Sequence, residues 1–328
     1  MKKILNDPEN VVEEYIEGML YANPGLNRVG NLNCVIRANP VANKVGLVSL
    51  GGSGHEPAHA GFIGVDALDG VACGRVFASP SVEQIFETAK AVHTGAGILF
   101  IVKNYTGDKL NTESAMEMLE DDGIESKMLI VADDVAPVEG IEKADRRGVA
   151  GTILVHRILG TAARGYNDLD YLYDLGTKVC SQLKTAGLAL SPCTIPYVGT
   201  PNFTIPDDKV TIGIGIHGEP GVMDKELCSC DELTNQLLDY IIADFEADGE
   251  PLIPGDSVVA LVNGMGATPL MELYVVNRCV NKRLESMEVK VIKNPVGDYM
   301  TSLEMEGYSV TLLRLKLEYL PLINSLVR

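Results

Sequence analysis

The sequence has no basic excess, no long apolar run and no cysteine framework, and each absence closes a class of function. Lys and Arg number 27 against 45 Asp and Glu, a net charge of −18. A protein that reads DNA or RNA directly needs a basic face to displace counterions. Direct nucleic-acid binding is therefore not expected, and any role at DNA has to come through a partner. No uninterrupted apolar stretch reaches the roughly 18 residues that a membrane span requires. The opening MKKILNDPEN turns acidic and helical where a secretory signal would carry an apolar stretch, so a soluble cytoplasmic chain with no membrane partner is expected. The seven cysteines are odd in number and widely spread. The close pair Cys228 and Cys230 lacks a second ligand pair nearby, so reduced thiols are expected rather than disulfides or a zinc site.

What is present is enough for two ordinary domains: 328 residues, 46% of them hydrophobic. Asp7 and Pro8 form a cap and a first-turn proline, and Val11, Val12, Tyr15, Ile16, Met19 and Leu20 then recur at helical spacing until Asn23, Pro24 and Gly25 stop them. Apolar runs of strand length follow at 44–50, 97–104 and 127–133, separated by helical stretches near 81–93 and 112–121. A helical stretch at 168–184 precedes a segment rich in proline, glycine and threonine with no clear period. After it come strands at 209–216, 257–264, 288–294 and 308–315, with a helix over 270–287. The expected fold is two α/β domains, residues 1–186 and 187–328, each with a central mainly parallel or mixed sheet flanked by helices.

In such sheets ligands bind on the loops that leave the carboxyl ends of the strands. Three loops there carry chemistry. The first holds Gly51, Gly52, Ser53, Gly54, His55 and Glu56; the second holds Lys103, Asn104, Thr106 and Asp108; the third holds His217 and Glu219. GGSGHEP matches neither the P-loop nor the dinucleotide fingerprint, and NGMGATP at 263–269 lacks lysine and acidic companions, so a tight structural turn is the simpler reading there. His55 and His59 stand four apart, as a metal pair on a helix would, but Pro57 between them argues against it. His93 and His156 have no neighbouring motif and are expected at the surface or as satisfied core residues. Two histidines and an aspartate on three strand-end loops indicate a small-molecule site with an acid–base or nucleophilic histidine.

The blocks GGSGHEPAHAGFIG, IVKNYTGD, RRGVAGT, GIGIHGEPG, LVNGMGATPLMELY and MTSLEMEGYSVTLL, in this order along essentially the whole chain, resemble the dihydroxyacetone kinase family, specifically its substrate-binding K subunit. The resemblance implies a homodimer of two-domain chains that captures dihydroxyacetone covalently as a hemiaminal on a histidine. By motif that histidine is His217, with His55 and Asp108 as its polar partners. Gly52 and Lys103 fall at substrate-contacting positions, and Gly54, Ser79 and Glu219 complete the candidate binding set. No cofactor is implied. The family's single-chain ATP-dependent members carry a nucleotide domain with no counterpart here, so this chain is not expected to phosphorylate anything alone.

Two functional types share such a site. One is the kinase subunit, which presents dihydroxyacetone to an ADP-bearing L subunit fed by a phosphocarrier. The other is a coactivator paralogue that binds the ketone and engages a TetR-like transcription factor. Leu50, Arg75, Thr112 and the pair His93 and Thr94 depart from the kinase pattern. Placed within or beside the segments of the site mouth, they favour the coactivator, with the kinase subunit as the alternative. A metal-dependent hydrolase using His55 and His59 would need a chelator effect to support it.

Overall fold

Asp7 caps the chain's first turn: its carboxylate accepts a hydrogen bond from Glu9 N at 3.0 Å, and Pro8–Asn10 form a 3-10 turn that runs into α1 (Val11–Ala22). Val12 and Ile16 are the buried residues of this helix. The computed structural model describes residues 2–136, 142–201, 203–219 and 221–326.

These residues form two compact units whose segments interleave. The first comprises 1–131, 152–178 and 195–200; the second comprises 132–151, 179–194 and 201–328. The boundary expected between residues 186 and 187 thus falls inside a strand of the second unit, Leu183–Ala189. The chain crosses between units several times, which a single cut in the sequence cannot represent.

Among the described residues the first unit has a six-stranded sheet built from β1 (Leu26–Arg28), β2 (Cys34–Arg37), β3 (Gly46–Ser53), β4 (Gly70–Val76), β5 (Ile98–Lys103) and β6 (Ser126–Val131). Their order is β1-β2-β4-β3-β5-β6. β4, β3, β5 and β6 run parallel, and β1 and β2 add antiparallel strands at one edge. β3 and β5 are buried along their whole length, which is why they read as continuous apolar runs rather than alternating ones. On one face Val48, Leu50, Phe100 and Val102 pack with Ile85, Phe86 and Ala89 of α2 (Val82–Val92) and with Ala115 and Leu119 of α3 (Thr106–Asp121). Ser81 and Gln84 close a reciprocal capping box on α2, a device worth about 1 kcal/mol. α4 (Thr152–Ala162) and the first part of α5 (Leu169–Ser181) belong to the same unit. α4 carries nine buried residues, so its sequence shows no amphipathic period.

The second unit holds β7 (Leu183–Ala189), β8 (Lys209–Ile212), β9 (Met223–Glu226), β10 (Ser257–Gly264), β11 (Lys290–Lys293), β12 (Val296–Asp298) and β13 (Gly307–Arg314). The order is β11-β10-β13-β7-β8-β9, with β12 also on β10. Among the described strands only the β10 pairs with β11 and β12 are parallel, so this sheet is mixed and largely antiparallel. α6 (Cys230–Ala247) and α7 (Leu270–Ser286) supply Leu237, Ile241, Val276 and Val280 to a core with Leu188, Val210, Val258 and Val310. The segment 132–151 is tied to this unit through buried Asp133, which accepts from Val149 N, Gly151 N and Thr185 Oγ1 at 2.7, 2.8 and 2.5 Å. No helix among the described residues is long and apolar enough to cross a membrane.

Candidate functional site

In the first unit, β4, β3 and β5 are parallel neighbours, so the loops leaving their carboxyl ends meet along one edge of the sheet. Glycine is required where β3 ends. A β-carbon on Gly52 would stand 2.6 Å from Ala78 N and 2.9 Å from Phe77 C, inside the turn that follows β4. Gly54 has φ +102° and a β-carbon there would lie 2.8 Å from the Phe77 ring, so no larger residue fits either position. The close approach lets the fully buried His55 ring stack on Phe77, with centroids 5.0 Å apart and planes 18° from parallel. Glu56 folds back to accept Gly54 N at 3.1 Å. Burial raises its carboxyl pKa, with the Gly54 hydrogen bond acting the other way.

The β5 loop brings the second group. Lys103, 1% exposed, ends the strand, and its ammonium lies 5.5 Å from the centroid of the Tyr105 ring. Buried Asp108 sits in the first turn of α3, where the positive end of the helix dipole favours a carboxylate. Thr112 is also buried and donates to Asp108 O at 2.6 Å, fixing that turn. Asn111 reaches Pro80 O at 2.8 Å, and a β-carbon on Gly107 would meet Ser79 Oγ at 2.7 Å. Gly52, Gly54, His55, Ser79, Lys103 and Asp108 therefore share one sheet edge.

His217 and Glu219 belong to the second unit. The strand expected over 209–216 ends at Ile212 because Gly213 turns the chain with φ +70°. Gly213 N donates to Gly187 O at 2.7 Å, and Gly213 O accepts from the Arg147 guanidinium at 2.7 Å. A second turn at Gly218, φ +74°, returns Glu219 onto His217. One carboxylate oxygen meets His217 Nδ1 at 2.8 Å and the other accepts His217 N at 2.9 Å. Gly215 has to be glycine, since a β-carbon there would run into the Glu219 carboxylate. Burial alone would raise the Glu219 pKa, but the hydrogen bond to and charge of His217 overcome it and hold the carboxyl at about 2. Glu219 is thus a carboxylate at neutral pH. With Nδ1–H donated to it, the neutral form of the imidazole has its lone pair on Nε2. Behind this turn Arg147 pairs with Asp134 at 2.7 Å; burial pushes the Asp134 carboxyl up to about 6 although Arg147 opposes it. Pro220 of the GIGIHGEPG block lies outside the described residues.

Of the remaining histidines His156 alone departs from expectation. Residues 55–59 form turns rather than a helix, so His55 and His59 lack the i, i+4 geometry of a metal pair. Among the described residues no group of three or more His, Cys, Asp or Glu is placed to hold a metal. His156 is neither at the surface nor satisfied: it is fully buried, and neither ring nitrogen has a hydrogen-bond partner. His93 caps the end of α2. In the NGMGATP turn the Asn263 side chain accepts Tyr299 N and Met300 N and donates to Met300 O, which makes it a structural turn.

The four departures from the kinase pattern do not gather at the site mouth. Leu50 is wholly buried in the core under α2 and α3. Thr112 is buried behind Asp108. Thr94 binds Val41 O and Lys44 O at 2.8 and 3.0 Å, just ahead of the amino end of β3 and so at the opposite edge of the sheet. Arg75 alone is an exposed charge, pairing with Glu9 and lying 5.0 Å over the Tyr197 ring. The site also uses Phe77, which lies in no motif; the glycines opposite it were the one available signal.

Residues 17–328 match the Dak1 domain. The chain belongs to the Dak1 family. It is 48% identical over 317 residues, 96% of this chain and 95% of the relative, to the dihydroxyacetone-binding subunit DhaK of the PTS-dependent dihydroxyacetone kinase 1 of Listeria innocua. The corresponding DhaK subunit of the PEP-dependent kinase of Escherichia coli is 41% identical, covering 98% of this chain and 96% of the relative. Among solved structures, the dihydroxyacetone kinase operon co-activator DhaQ superposes with a TM-score of 0.89 at 30% identity, over 95% of each chain. The Dak1 chain described here is thus a DhaK protein or a DhaQ-like paralogue, with two mixed α/β sheets flanked by helices.

Proposed function

We propose that this chain is the dihydroxyacetone-binding subunit of a phosphotransferase-system-dependent dihydroxyacetone kinase, acting as a cytoplasmic homodimer with an ADP-bearing L subunit. The observation that carries the chemistry is the His217–Glu219 pair, which leaves the nucleophilic lone pair on Nε2. Nε2 adds to the ketone carbon, the carbonyl π pair moves to oxygen, and the alkoxide takes a proton from His55 to give the hemiaminal. The Glu219 carboxylate stabilises the imidazolium that forms by accepting the hydrogen bond from its Nδ1–H. Lys103, Gly52, Gly54 and Ser79 orient the ligand, and Asp108 accepts the proton of the hydroxyl to which phosphate is delivered. Glycerol has the hydroxyls but no carbonyl, so covalent capture discriminates against it without fine shape selection.

The kinase reading is favoured over the coactivator by the 48% and 41% identities to kinase subunits and by the burial or remoteness of three of the four departures. The coactivator reading keeps support from the fit to DhaQ and from the exposed Arg75. The discriminating experiment is phosphoryl transfer to dihydroxyacetone with an L subunit and its phosphocarriers. Turnover supports the kinase subunit; covalent binding without turnover, together with retention of a TetR-like regulator on a ligand-loaded column, supports the coactivator.

A further inference from the structure

Two buried histidines stand beside Lys103 and are outside the chemistry described so far. His59 is 4% exposed and His156 is wholly buried. Their rings meet edge to face, with centroids 5.2 Å apart and planes at 65°, and His156 in turn lies 6.3 Å from the Phe62 ring. None of the four ring nitrogens has a hydrogen-bond partner. A buried polar group left so is costly, and such groups call for an explanation beyond packing. The place of His59 supplies one. A β-carbon on Gly51 would stand 3.4 Å from Lys103 Nζ and 3.5 Å from His59 Nε2, so the ammonium and the imidazole nitrogen flank the same glycine. Burial, reinforced by the charges of Lys103, His156 and His55, lowers the His59 pKa well below the usual imidazole range. Burial, with Arg157 and Lys103, lowers that of His156 to about 3. Both rings are neutral at pH 7, and a neutral imidazole offers one acceptor nitrogen to a lysine that has only donors.

We propose that His59, its ring held by His156, is a positioning residue that directs its Nε2 lone pair at the Lys103 ammonium and sets that ammonium toward the ligand oxygen at the carboxyl end of β5. The contact of Lys103 with the ligand rests on the function proposed above. The link between His59 and Lys103 does not. His156 acts as the wall that fixes the ring plane, and both nitrogen atoms border the Gly51 backbone.

The test is a double-mutant cycle with a ligand-free readout. Removing an acceptor from a charged donor costs about 10-fold or more, so His59→Leu is expected to weaken dihydroxyacetone binding by that factor. His59→Gln, which keeps an acceptor, is expected to restore it to within about 3-fold. In a Lys103→Met background His59→Leu is expected to have no further effect, because coupled residues are non-additive. Nitrogen-15 NMR of the imidazoles of the unliganded protein is expected to show His59 Nε2 unprotonated, with a resonance that moves on Lys103→Met. Additive losses in the cycle, or a His59 Nε2 resonance that is protonated or indifferent to Lys103→Met, would overturn the inference. Failure of the wild type to bind dihydroxyacetone would instead overturn the functional reading, and the NMR result would still decide the inference.

Discussion

Replacing Glu219 by Gln isolates the charge that the His217 turn depends on. The structure gives the carboxylate two bonds from one residue, to Nδ1 and to the backbone N of His217, at 2.8 and 2.9 Å. Holding the carboxyl at about 2 rather than its ordinary 4.5 corresponds to roughly 3 kcal/mol of preference for the ionised form. The side chain is 30% exposed, and solvent screening reduces this to about 1.5–2 kcal/mol. The expected loss is thus about 10–30-fold in the equilibrium constant for the dihydroxyacetone adduct. Because the folded pKa is depressed, the contribution of Glu219 is fully present above pH 4.5 and is lost as the pH falls toward 2. Wild type and Glu219→Gln are therefore expected to differ throughout the neutral range and to converge only below about pH 2. Calorimetric titration with dihydroxyacetone at several pH values measures both features. Equal affinity of the two proteins at pH 7 would refute the role given to the carboxylate.

The remaining expectations test the frame around the site. Gly52→Ala places a β-carbon 2.6 Å from Ala78 N, so a loss of ligand affinity of about 10-fold or more is expected from backbone displacement; wild-type affinity in titration would contradict the close approach. Asp133→Asn replaces an acceptor of three buried hydrogen bonds with a side chain bearing donors, and is expected to cost about 3 kcal/mol. Thermal denaturation checks it, and a loss under about 1 kcal/mol would show that Asp133 is not the anchor of segment 132–151. Ser81→Ala removes the α2 cap and is expected to cost about 1 kcal/mol with ligand affinity unchanged, measured by the same melt and titration.

The strands β3, β5, β6 and β10 were legible because buried strands of a parallel or mixed sheet are continuous apolar runs bounded by turns. β7 was not: Leu183–Ala189 is buried on both faces but rich in small residues, and it leads without punctuation into the proline-rich stretch. α4 was hidden for the related reason that burial all round erases the helical period. The site loops could be located because glycine and histidine stand where strands end. What the linear sequence withheld was depth. Leu50, Thr112 and Thr94 look alike as departures from a pattern, yet one fills the core, one braces Asp108 and one lies at the far edge of the sheet. The pairing of His217 with Glu219 depends on two left-handed glycines, Gly213 and Gly218, and the motif alone did not say which imidazole nitrogen would carry the lone pair.

Covalent capture by His217 is tested most directly by intact-protein mass spectrometry with dihydroxyacetone after borohydride-free, gentle ionisation, on wild type and His217→Ala, with a ligand-soaked crystal of the wild type alongside. The expected result is one dihydroxyacetone per chain on wild type, none on His217→Ala, and continuous density from the ligand's central carbon to His217 Nε2. An adduct that persists in His217→Ala, or density showing the ketone bound without a link to His217, would contradict it.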